Sequence, residues 1–181
     1  AASSESNKST TFSMNEDFED GDISGWQNYS SGSVVYRLNE SNGVILKTDS
    51  DDANGGYKLL TYPVTDYYLE FRMKRINFDG GGSDRYGILE STGDGYGPRT
   101  TNIGTSSPLY IEERNNYGAS TVATGSSVTM NEDRWYYWNF TKLGNQLTFT
   151  VFDENKSSII SQTSGSDATF ANTEFDRFQI M

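Results

Sequence analysis

The chain has 181 residues, no Cys and no His, and a formal net charge of -11. The missing residue types exclude disulfides, thiolate metal sites, Cys nucleophiles and Ser-His-Asp chemistry. The acidity disfavours nucleic acid and other polyanions unless the surface carries a local basic patch.

Residues 1–9 are small and polar and are expected to form a flexible N-terminal segment; residues 10–181 are expected to form a single β-sandwich domain. The Ala1-Ala2-Ser3-Ser4 start reads as a mature terminus left by signal cleavage. No apolar run is long enough to insert into a membrane. The first strands are predicted over 10–14, 33–39 and 43–48, the last two joined by the turn-like Glu40-Ser41-Asn42-Gly43. Residues 57–62 follow an acidic loop and are expected to end at Pro63. Residues 67–76 give the clearest pattern: Leu69, Phe71 and Met73 alternate with Tyr68, Glu70, Arg72 and Lys74, the period of two of a half-buried strand.

A glycine-rich connection, Asp79 to Asp84, precedes a strand over 85–91, and Ser91-Thr92-Gly93-Asp94-Gly95 turns it into 96–102. Residues 109–114 alternate again, with Leu109 and Ile111 opposed to Tyr110, Glu112 and Arg114. Residues 120–124 and 127–130 read as two short strands separated by Gly125-Ser126. Residues 135–142 are strongly aromatic, Gly144-Asn145 turns them into 146–152, and strands over 158–163 and 177–180 follow. The predicted core is Trp26, Leu69, Phe71, Met73, Trp138, Phe140, Leu147, Phe149, Val151, Phe178 and Ile180. Many short strands, turn signals at regular spacing and no helical periodicity point to an all-β fold, a two-sheet antiparallel β-sandwich.

Carboxylates at the two ends suggest a cation site. Asp176 shares strand parity with Phe178 and Ile180 and is expected to lean inward, where an unpaired charge is costly. Calcium, which takes six to eight oxygens in irregular geometry, could be held by Asp17, Glu19, Asp22 and Asp176 if the terminal strands pair. Asp49 to Gly55 spaces its carboxylates like an EF-hand loop, but Leu60 stands at the twelfth position where Glu is needed, so it reads as an acidic turn.

Ligand contacts are predicted in two places. If strands 67–76, 109–114 and 135–142 share a sheet, their outward faces combine Tyr68, Glu70, Arg72, Tyr110, Glu112, Arg114, Trp135 and Tyr137. Such a surface offers flat aromatic faces for a pyranose and charged groups for its hydroxyls; cross-strand stabilisation is the competing explanation. The segments Asp84-Arg85-Tyr86-Gly87 and Gly93-Asp94-Gly95-Tyr96-Gly97-Pro98-Arg99 are read as glycine-rich loops. There Arg85, Tyr86, Asp94, Tyr96 and Arg99 would approach a ligand over bare backbone.

Phe18-Glu19-Asp20-Gly21 with Gly25-Trp26, the strand Tyr67-Tyr68-Leu69-Glu70-Phe71, Arg134-Trp135-Tyr136 and Phe175-Asp176-Arg177-Phe178 together resemble a laminin-G-like or concanavalin-like carbohydrate-binding module. The resemblance spans nearly the whole chain. It implies a jelly-roll sandwich whose terminal strands pair, a structural calcium ion, and a secreted or cell-surface protein that binds a polysaccharide or other glycan without transforming it. The abrupt end at Met181 would suit a module cut from a longer protein, with an attached catalytic domain as a partner. An extracellular structural subunit (filament, sheath or adhesin protomer), self-assembling by strand pairing and calcium, is the alternative. A lyase or glycosidase is the weaker one: the Glu-x-Asp-x-x-Glu strand of concanavalin-like glucanases is absent, and Glu112 and Glu113 point to opposite faces and cannot act as a pair.

Overall fold

The computed structural model describes residues 14, 24–28, 34–38, 44–48, 55–74, 83–101, 106–116 and 118–180. They form β1 (Trp26–Asn28), β2 (Val34–Leu38), β3 (Val44–Thr48), β4 (Gly56–Val64), β5 (Tyr67–Lys74), β6 (Ser83–Leu89) and β7 (Gly95–Thr101). β8 (Ser106–Asn115), β9 (Gly118–Thr129), β10 (Trp135–Leu143), β11 (Gln146–Phe152), β12 (Ile159–Ser166) and β13 (Phe175–Ile180) follow, with no helix among the described residues. A seven-stranded antiparallel sheet runs β1-β4-β13-β6-β7-β8-β9, and a four-stranded sheet runs β12-β11-β10-β5. β2 and β3 pair with each other as a hairpin. The fold is an all-β, two-sheet antiparallel sandwich.

Alternation builds the layer between the sheets. In β10, Tyr136, Trp138, Phe140 and Lys142 are buried while their neighbours are not. In β8, Leu109 and Ile111 turn inward, and in β11 Leu147, Phe149 and Val151 do so, all fully shielded from water. Aromatic rings bind the two layers together. Phe71 lies 4.4 Å from Tyr86 and 5.5 Å from Trp138, and Tyr86 stacks on Phe178 at 6.5 Å. Offset and edge contacts of this kind add stability beyond the area they bury. Of the predicted core, Trp26, Phe71 and Ile180 are only partly buried, and the rest are buried.

Several expectations need correction. Pro63 does not end its strand: β4 continues to Val64, because the pairing with β13 slips between Phe175 and Arg177 and asks no ladder bond of the proline. The two short strands around Gly125 are one, β9, since Gly125 serves a close approach to Thr163 on β12 (an added Cβ would lie 2.8 Å from Thr163 Cβ) and not a turn. The first and last described strands are not direct neighbours either. β4 stands between β1 and β13 and takes hydrogen bonds from both, although Trp26 still meets Phe178 edge-on at 6.0 Å. The strand expected over 10–14 and the acidic turn from Asp49 to Asn54 lie outside the described residues, Met14 excepted.

Candidate binding site

The two supposed glycine-rich loops are strands except at Gly93-Asp94, which lie in the turn between them. β6 and β7 form a hairpin closed by Glu90 to Asp94, and the glycines within it serve strand-to-strand approach. An added Cβ on Gly97 would fall 1.7 Å from the Tyr86 carbonyl oxygen. The ladder correspondingly passes from Arg85↔Arg99 to Ile88↔Tyr96 without a regular pair between. Glycine here brings backbone to backbone, not backbone to ligand.

Strand parity then sorts the predicted contact residues. Tyr86 and Tyr96 face the core. Tyr96 is fully buried, donates through its hydroxyl to Asp167 Oδ1 at 2.7 Å and accepts from the Phe170 amide at 2.9 Å. Burial and the Asp167 carboxylate push its ionisation far above the ordinary tyrosine range. Asp94 accepts from the Asn116 amide at 2.5 Å and so fastens the start of β7 to the end of β8. Tyr86 and Tyr96 thus pack inside the sandwich, and Asp94 joins two of its strands.

The other five meet on the outer face of the seven-stranded sheet. Arg85, Arg99 and Tyr110 stand abreast in register on β6, β7 and β8. Glu112 and Arg114 follow Tyr110 on its side of β8. Glu112 is the hub: Arg99 Nη1 donates to Oε1 at 2.9 Å, Arg114 Nη2 lies 3.0 Å from Oε2, and Arg85 Nε stands 3.5 Å from Oε2. The Arg99 guanidinium also lies 4.9 Å from the centre of the Tyr110 ring, and its Nε donates to Ser83 Oγ at 3.2 Å. The side chains of Glu112 and Arg114 are 2–3 % exposed, those of Arg85 and Arg99 26 % and 22 %. The result is a buried ionic anchor with two cationic arms and an aromatic ring at the surface. Guanidinium groups suit this because their planar forks keep their charge and can stack while they donate.

The expected single outward surface is in fact two. β5 and β10 lie in the four-stranded sheet and β8 in the other, so Tyr68, Glu70, Arg72, Trp135 and Tyr137 are on the opposite side of the molecule from Tyr110, Glu112 and Arg114. On that side the polar groups satisfy one another. Lys156 donates to Glu70 at 2.5 Å and Tyr68 does so at 2.6 Å, Asn139 donates to Tyr68, and Arg72 covers the Trp135 ring at 4.6 Å. Burial pushes the Glu70 carboxyl up, but the hydrogen bonds from Lys156 and Tyr68 outweigh it and hold it below its ordinary range. This patch reads as cross-strand stabilisation.

For the metal, Asp17, Glu19 and Asp22 lie outside the described residues. Asp176 sits where the β13 register slips, is 40 % exposed through its side chain, and accepts from Arg177 at 2.8 and 3.3 Å. The slip breaks the parity that would have turned it inward, and Arg177 supplies its counter-charge. Among the described residues no three carboxylates converge, so what they present does not fit a calcium site.

No family model matches the chain. An uncharacterized protein of Methanocaldococcus jannaschii is 33% identical over 168 residues, which cover 90% of this chain and 16% of that protein. The chain thus spans about a sixth of the relative's length. Among solved structures, the carbohydrate-binding module CBM66 from Bacillus subtilis superposes with a TM-score of 0.63 over 87% of each chain at 12% identity. The enzymatically active domain of tailspike protein 2 from bacteriophage CBA120 gives 0.58 over 85% of this chain and 25% of that one, at 9% identity. The fold of this chain is accordingly a two-sheet β-sandwich like that of the bacterial module.

Proposed function

We propose that this chain is a non-catalytic glycan-binding module, working outside the cell, whose ligand lies on the outer face of the seven-stranded sheet over Arg85, Arg99 and Tyr110. The observation that carries this reading is the hub at Glu112. It holds the partly exposed Arg99 guanidinium by a hydrogen bond and draws that of Arg85 into an ion pair, beside a tyrosine ring, so donors for sugar hydroxyls and a flat apolar surface for the ring are held ready at little entropic cost. Flanking strands fix the backbone from which they project, which suits a rigid binding face. The fold shared with a bacterial carbohydrate-binding module supports the reading. So does the match to one stretch of a much longer archaeal protein, as expected of a module within a larger chain.

A glycan array probed with the intact chain tests this directly. Arg99→Ala and Tyr110→Ala should each abolish or strongly weaken the strongest signal while circular dichroism stays that of the wild type. A signal that survives both changes moves the site elsewhere, and no signal on any glycan refutes the reading.

Calcium enters the reading only as a fastener of the acidic segment holding Asp17, Glu19 and Asp22, because Asp176 is already paired. If it is bound, a chelator should lower the melting temperature and elemental analysis should find about one ion per chain. An unchanged transition with no metal detected removes it.

A further inference from the structure

Apart from that face and independent of it, we infer a second carbohydrate site: a pocket at one end of the sandwich that takes a single uncharged sugar ring against Trp135 and Ile160. The pocket, of about 160 Å³, lies where β9 ends, β10 begins and β11 turns into β12. Sites for drug-sized ligands start at about 300 Å³, so this one suits one ring and not a run of them. Trp135, Tyr136 and Ile160 give it apolar surface, and Ile160 is 37 % exposed although it is aliphatic. Asn131, Arg134, Asp153 and Glu154 supply its polar atoms. Apolar walls with a few placed polar groups are the usual make-up of a small-ligand site.

The walls are set before any ligand arrives. The Tyr136 hydroxyl accepts from the Asn131 amide at 2.7 Å, which pins the segment leading from β9 into β10. Asp153 accepts from the Ser157 amide and hydroxyl, both at 2.7 Å, and from the Ser158 amide at 3.3 Å, so its turn is closed from within. Arg72 and Lys74 stand 4.6 and 5.4 Å from the centre of the Trp135 ring and hold it in one pose, while neither lines the pocket. A preformed site loses little freedom on binding. The polar groups then select the charge of the ligand. Asp153 is engaged by its own turn, and the other two charged lining residues, Arg134 and Glu154, are of opposite sign. Arg134 Nη2 and Glu154 Oε2 are 3.8 Å apart, too far for a hydrogen bond, and their side chains are 60 % and 46 % exposed. A hydroxyl between them can accept from the guanidinium and donate to the carboxylate, in place of an ion pair that contributes little. An anion would meet Glu154 and a cation Arg134. A neutral ring finds a donor, an acceptor and the Asn131 side-chain amide, which acts as either, with its C–H face on apolar surface.

Proton–nitrogen NMR of the intact chain tests this through the Trp135 indole signal, with the methyl glycosides of glucose, galactose, mannose and xylose added in turn. At least one sugar should move that signal saturably, with a Kd of about 1 mM for so small a ligand. Arg134→Ala and Glu154→Ala should each weaken the binding about tenfold. Arg99→Ala and Tyr110→Ala, on the other face, should leave it unchanged. Methyl glucuronide and glucosamine should bind no better than the neutral sugars; tighter binding of either overturns the inference. So does an affinity untouched by both Arg134→Ala and Glu154→Ala, or one lost with Tyr110→Ala. Should the first two variants disturb the fold, the charged and neutral sugars on the wild type decide. No shift at Trp135 with any sugar overturns the second site and leaves the outer-face reading to the glycan array. An array signal indifferent to Arg99→Ala and Tyr110→Ala, beside a shifting Trp135, supports this site and overturns the outer-face reading alone.

Discussion

Lys142 is shielded completely from water, yet its ammonium donates to the Thr65 carbonyl at 2.8 Å and the Ala171 carbonyl at 3.0 Å, with Asp66 at 3.4 Å and the Phe175 ring at 5.6 Å. One side chain thereby ties the β4–β5 turn, the end of β10 and the connection into β13 together. Lys142→Ala leaves two carbonyls without their donor and a void beside Phe175, so unfolding in urea should show a loss of about 2–4 kcal/mol. Lys156→Ala breaks only an exposed ion pair with Glu70 and should cost no more than about 1 kcal/mol. Comparable losses for the two would mean that Lys142 is dispensable to the core. The sequence contains the hint, since Lys142 follows Trp138 and Phe140 at spacing two. A lysine at the end of an aromatic strand, however, is normally taken for a solvated charge, and the carbonyls that hold it come from distant segments.

At the level of strands, side-chain alternation was the legible signal and neighbourhood was not. β5, β8, β10 and β11 each place apolar residues at a period of two; burial follows it strictly in β10, while Glu112 and Arg114 in β8 and Thr150 in β11 are buried on the opposite face as well. Which of them share a sheet depends on long-range pairing that local pattern does not encode, and so Tyr110 and Tyr68 were expected on one surface and lie on two. Tyr110, Glu112 and Arg114 could be named because they alternate with core positions, whereas Arg85 and Arg99 were named as loop residues and lie on strands. Their convergence on Glu112 required the register of β6, β7 and β8. Glycine was the misleading signal. Gly97 reads as a loop residue, yet it sits in a strand where a Cβ would strike the Tyr86 carbonyl. Gly97→Ala should therefore force β6 and β7 apart and either prevent folding or cost about 3 kcal/mol or more, in line with other severe steric insertions. Gly144→Ala has open space around it but a φ of +57°, so it should cost only about 1 kcal/mol of backbone strain. Thermal melts of the two variants separate these causes. A near-wild-type melt for Gly97→Ala would show that the hairpin can relax around the methyl group.

For the molecule as a whole, the carboxylates set how stability varies with pH. Glu70 and Asp167 are held below their ordinary ranges: burial raises each, but hydrogen bonds from Lys156 and Tyr68 in one case, and from Tyr96 and Thr169 in the other, outweigh it. Their contribution is present above the unfolded-state value and is lost as pH falls through the folded one. Glu113 behaves oppositely, because burial and then the neighbouring Asp167 push its carboxyl up. The folded chain holds that proton longer than the unfolded chain does, so stability declines as pH rises through the folded value. Self-repulsion at a net charge of -11 adds to the decline on the same side. The melting temperature should thus peak at mildly acidic pH and fall both towards strong acid and towards neutrality. Salt and mutation then tell the two neutral-side causes apart. Added NaCl screens the general repulsion, whereas Glu113→Gln removes the local carboxylate pair and should raise the melting temperature at pH 7 by a few degrees, roughly 1 kcal/mol, with little change near pH 4. An equal effect of Glu113→Gln at both pH values would mean that the pair does not share a proton and that net charge alone shapes the profile.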